Sequence, residues 1–124
     1  MPNEQQSYQI EYNAFMTLYN KGAATGEQVG EVIAKMAQYF SEANLNFAAA
    51  SVASNKKAAE IERGVDDSGK AISSAKAAVY AAATDEYAVY AVAKAHVTNI
   101  EQCINALKAL QKGVLNEFSH MGSI

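Results

Sequence analysis

Val29, Ile33, Met36, Phe40, Ala43, Phe47 and Ala50 follow one another at alternating steps of four and three residues. An α-helix turns once in about 3.6 residues, so this spacing lays the whole set along one narrow stripe that has to find an apolar partner. A partner is present in the same chain. Tyr90, Ala93, Val97, Ile100, Ile104, Leu107, Val114, Phe118 and Met121 keep the same seven-residue phase, interrupted by the polar Gln111 with Leu110 beside it. Two such helices in one chain predict an antiparallel hairpin. Past Ala50 the first stripe weakens, because Ser54 and Lys57 fall where the seam continues, with Ala58 and Ile61 alongside. A bend or a change of partner is expected there.

Alanine supplies much of the apolar content, and it has the best intrinsic helix propensity. The chain has seven glycines and one proline, Pro2, which lies outside any expected element. The fold class is therefore all-α, a coiled-coil-like long-helix hairpin with a short connecting helix and an N-terminal aromatic helix. At 124 residues a single domain spanning 1–124 is expected. Ala48, Ala49, Ala50 and Ala53, and again Ala88, Ala91, Ala93 and Ala95, allow close helix approach. One hairpin leaves a flank of each long helix uncovered, so a homo-oligomer, a helical bundle on association, is expected.

The remaining elements follow from local signals. Tyr8, Tyr12, Phe15 and Tyr19 share one stripe of a first helix over Ser7 to Asn20, packed across the hairpin and closed by Lys21-Gly22. Thr25-Gly26-Glu27-Gln28 matches a capping box, in which threonine accepts from the backbone and Gln28 reaches back to the cap residue's own N–H. Gly64 and VDDSGK mark a turn, and ISSAKAAVYAAA forms a short helix. Thr84, followed by Asp85 and Glu86, has the makings of a fresh N-terminus. Whether the helix breaks there stays open.

The net charge of −3 argues against coating duplex DNA by gross charge, though a local basic patch stays open. No apolar run reaches the roughly 18–20 residues of a membrane span, and the start MPNEQQSYQ lacks a secretory signal pattern. A soluble, cytoplasmic protein without membrane contact is expected. Cys103 is the only cysteine, which fits a reducing compartment. Between Ile100 and Ile104 it reads as a small buried hydrophobe.

Candidate functional residues fall in two groups. Tyr80 and Tyr87 lie seven residues apart, on one face if the helix is continuous, with Tyr90 three residues on and Lys76 and Lys94 near enough to share that face. Aromatics beside lysines are how proteins hold single strands, so weak single-stranded DNA binding is one reading. Packing in a core or interface is the other, and it is favoured for all three rings. The second group is Lys56, Lys57, Arg63, Lys70 and Lys76, gathered near one end of the hairpin but diluted by Glu60, Glu62, Asp66 and Asp67. It reads first as a solvated mixed-charge face and second as a nucleic-acid patch. Glu117-Phe118-Ser119-His120 has the Glu-x-x-His spacing of di-iron bundles in a single copy, which is too little for a metal site. His96 lacks the setting of a phosphorelay histidine, and no nucleophile–base pairing is suggested by position. No catalytic activity and no cofactor are expected.

A long helix ending in KKAAEIERG, the linker DDSGKAISSAKAAVYAAATDEY and a final helix AKAHVTNIEQCINALKALQKGVLNEF resemble the small helical accessory proteins of bacteriophage replication and recombination modules, over about Asn55 to Phe118. The resemblance implies a non-enzymatic factor with a protein partner in DNA recombination or replication, and it assigns no residue a role. Two alternatives stay open beside this homo-oligomeric interaction protein. One is a coiled-coil adaptor without a nucleic-acid role; the other is a secreted helical hairpin, although the Trp-x-Gly turn of that class is missing.

Overall fold

The computed structural model describes residues 4–122, and side chains over residues 7–113. The fold is all-α, with α1 (Glu4–Asn20), α2 (Gly26–Glu62), α3 (Ser74–Ala82) and α4 (Asp85–Gly122). Among the described residues the only β feature is an isolated antiparallel bridge between Val65 and Ala71. The two heptad-patterned helices are α2 and α4, and they pack closely, as the all-α hairpin requires. Their stripe residues are buried or half-buried wherever side chains are described, and none is exposed. Ser54 and Lys57 keep to this pattern, and α2 runs unbroken through the weakened stretch.

The helix ends are set by local chemistry. Gly22, at φ +72°, closes α1 with Ala23 N–H donating to the Leu18 carbonyl and Gly22 N–H to that of Tyr19, the double bond of a Schellman motif. A side chain at Gly22 would be strained in this left-handed conformation. The capping box at the start of α2 is complete. Gln28 N–H donates to Thr25 Oγ1 at 3.2 Å, and Thr25 N–H donates to Gln28 Oε1 at 2.8 Å. Ser73 caps α3 by accepting from Lys76 N–H. Between α2 and α3, Asp66 organises the turn, its Oδ1 accepting from Ser68 N–H, Ser68 Oγ and Lys70 N–H.

The chain divides into two compact units. Unit 1 comprises Met1–Glu42 with Thr98–Ile124, and unit 2 comprises Ala43–Val97. In unit 1, α1 runs antiparallel to α2. The Tyr8 and Tyr39 rings lie 6.4 Å apart, and one turn along α1 the Glu11 carboxylate meets Lys35 Nζ at 2.8 Å. The aromatic stripe of α1 turns inward as its spacing predicts, with Tyr8 and Phe15 buried and Tyr12 and Tyr19 half-buried. Val29, Met36, Ile100 and Leu107 complete this core. Each such side chain contributes about 1.5–3 kcal/mol when removed from water.

Unit 2 holds the end of α2, the turn, α3 and the beginning of α4. Its described side chains pack far less deeply. Phe47 and Tyr90 stack at 5.5 Å across the hairpin, while the buried apolar residues of this unit are the alanines Ala50 and Ala77. Alanine carries little apolar area, so burial within this unit contributes correspondingly little.

Candidate interaction surface

The opening between α3 and α4 decides how the tyrosines are arranged. Thr84 Oγ1 donates to the Ala81 carbonyl at 2.7 Å, closing α3, and accepts from Tyr87 N–H at 3.2 Å, opening α4. One hydroxyl thus ends one helix and starts the next. Tyr80 and Tyr87 therefore belong to different helices, and their seven-residue spacing does not place them on one helical face. The same break separates Lys76, on α3, from Lys94, on α4.

The packing reading holds for Tyr90, which is half-buried against Phe47. Tyr87 touches Tyr90, with ring centroids 5.8 Å apart, yet remains 41% exposed, and Tyr80 is 47% exposed. These two are thus not core residues of the chain, because neither helix presents them to the hairpin seam.

The cationic group occupies the end of unit 2. Lys56 and Lys76 are exposed; Lys57 is half-buried and its Nζ lies 3.6 Å from Glu60. Arg63 folds back, its Nε donating to the Ala59 carbonyl at 3.2 Å, and Lys70 stands exposed in the Asp66 turn. The hydrogen bonds from Ser68 and the Lys70 backbone hold the Asp66 carboxyl below its ordinary range. A fixed anion therefore stands in the turn that carries Lys70.

In unit 1, Cys103 is half-buried in an open groove of about 530 Å³ that it lines with Tyr8, Gln9, Tyr12, Asn99, Gln102 and Ala106. Burial pushes its thiol pKa up, and burial followed by the neighbouring thiol raises that of Tyr12. On α2, burial and then the Glu11 carboxylate push the Tyr39 hydroxyl up, while hydrogen bonding to Glu11 does the same for Lys35. The Glu117–His120 motif lies outside the residues whose side chains are described. Among the described residues no three metal-ligating side chains gather, and no helix is long and apolar enough to cross a membrane.

The prominent surface feature lies elsewhere, on residues that sequence reasoning passed over. Leu45 is 70% exposed, Val89 60%, and Val52 and Val92 are also exposed. Exposed alanines flank them at Ala48, Ala49 and Ala53 on α2 and at Ala88, Ala91 and Ala95 on α4. Of the alanines expected to bring helices together, only Ala50 and Ala93 turn inward. A signal for this face was available. Glu31, Gln38, Leu45, Val52 and Ala59 occupy the same heptad position, opposite the seam, and along it the residues change from polar to apolar. No charged residue interrupts α2 between Glu42 and Lys56.

Comparison with protein-family models, with characterised proteins and with solved structures finds no match to this chain.

Proposed function

We propose that this chain is a non-enzymatic helical interaction protein whose working surface is the exposed apolar face of unit 2. The observation that carries this reading is the imbalance within that unit. Leu45, Val52, Val79, Val89 and Val92 face solvent while its buried apolar residues are two alanines. Large apolar side chains left at the surface of one unit in this number mark it as a candidate contact site. The resemblance to phage replication and recombination accessory proteins supplies the setting, a cytoplasmic protein partner in DNA recombination or replication. The test uses a lysine at Val52 and the apolar dye ANS. Wild-type protein that neither binds ANS nor changes its melting temperature on Val52→Lys has no such surface, and the reading fails.

The exposure of Tyr80 and Tyr87 favours a second reading, weak binding of single-stranded DNA by these rings with Lys56, Lys57, Arg63, Lys70 and Lys76 following the backbone. Titration with oligo-dT at low and moderate salt tests it. Binding through phosphates has to weaken as salt rises. Affinity that is absent at low salt, or unchanged in Tyr80→Ala and Tyr87→Ala, removes this reading.

A further inference from the structure

We propose that a second copy of this chain covers one flank of unit 2, hairpin against hairpin, about a two-fold axis. This rests on the interaction reading above and names its partner. In unit 1, α1 meets α2 at Lys35 and Tyr39, and it shares a groove with Asn99 and Cys103 of α4. Two seven-residue steps along α2 from Lys35 and Tyr39 reach Ala49 and Ala53. On α4, one step back from Asn99 reaches Val92, and two from Cys103 reach Val89. These are the unit 2 counterparts, by heptad position, of the residues against which a third helix packs. All four are exposed. In unit 2 these four positions stand open to solvent.

Two observations favour a second copy as the occupant. The flank is self-complementary in the sense a two-fold axis demands, because small Ala49 and Ala53 on one helix can receive the larger Val89 and Val92 of the other copy. Finally, Lys94, the one lysine on α4 between Glu86 and Glu101, lies at a heptad position on the opposite flank from Val89 and Val92. Between Asn46 and Ala53 on α2 and between Val89 and Asn99 on α4 the flank carries no acid, lysine or arginine, with Lys56 and Asp85 at its margins, and an uncharged stretch of this kind suits an identical face and gives a lipid headgroup nothing to pair with.

The experiment uses the full chain in a Cys103→Ser background, with single cysteines at Ala49, Val92 or Lys94, a short bismaleimide cross-linker, and sedimentation of the wild type and of Val92→Lys. A dimer is expected at micromolar concentration. Cross-linked product of twice the mass should form from Ala49→Cys and Val92→Cys, and not from Lys94→Cys. A two-fold axis places each substitution in the interface twice, so Val92→Lys should weaken association by roughly a hundredfold or more. The cysteine variants are mild, so the cross-linking result stands even if the lysine variant unfolds. A dimer that cross-links at Lys94→Cys instead overturns the flank. A monomeric wild type overturns the second copy. In that case ANS binding lost in Val92→Lys leaves the interaction reading standing with another partner, whereas no ANS binding removes both.

Discussion

Phe47 on α2 and Tyr90 on α4 stack with ring centroids 5.5 Å apart and planes 29° apart. This pair, rather than the tyrosines as a group, ties the two long helices of unit 2 together. Replacing Tyr90 by alanine is expected to cost roughly 2–3 kcal/mol, near the low end for aromatic truncation because the ring is half-buried. Tyr87→Ala should cost about 1 kcal/mol, since its ring is partly solvated already. Thermal melting of the two variants checks the order. A larger loss at Tyr87 would show that its ring is covered in the working state.

Gly30 offers a gain in stability. It sits inside α2, and a Cβ built there meets only Gln111 Nε2, at 3.7 Å, an ordinary contact. Gly30→Ala removes backbone freedom from the unfolded chain without a clash, so stability should rise by about 0.5–1 kcal/mol. Chemical denaturation measures it, and a loss would mean that α2 and α4 approach more closely here than the ordinary contact distance.

The Cys103 thiol should react slowly. Burial raises its pKa, so less thiolate is present at neutral pH, and the side chain is only partly accessible. A thiol reagent such as DTNB should react slowly with native protein and quickly in denaturant. Equal rates would refute this.

Acid should loosen the turn between α2 and α3 later than an ordinary carboxylate would allow. Asp66 has its pKa lowered in the folded chain by its bonds from Ser68 and Lys70. Its contribution is therefore complete above the unfolded value near 3.9 and is lost as pH falls through the lower folded value. By NMR, the Asp66 carboxyl and the Ser68 and Lys70 amides should titrate together below the ordinary range, and Asp66→Asn should abolish the coupling. An ordinary Asp66 titration would contradict the hydrogen bonding.

Much of the fold is legible in the sequence because it follows from periodicity and capping. The stripe from Val29 to Ala50, the Thr25–Gln28 box and the Gly22 stop are local or repeating signals, and each takes the form its residues dictate. The tyrosine stretch was harder to read. Tyr80 and Tyr87 share a face only on a continuous helix, and their separation depends on whether Thr84 bonds backward to Ala81 and forward to Tyr87 at once. Propensity does not settle that, because alanine on both sides favours continuing the helix. The candidate surface was missed for a different reason. Attention to the seam residues draws the eye from Leu45 and Val52, whose meaning lies in being apolar where the outer position is polar one and two heptads earlier.

Unit 1 is built from both ends of the chain, with unit 2 inserted between them. Ribosomal synthesis therefore delivers Val29 and Met36 well before Ile100 and Leu107, and the nascent α1–α2 pair waits with its apolar stripe uncovered. The intervening segment is a loop whose ends have to be brought together before that core closes, and closing a flexible loop costs entropy that grows with its length. By folding into a hairpin held at Phe47 and Tyr90, unit 2 returns the chain to the neighbourhood of its departure, so the late-arriving segment has only a short search left to make.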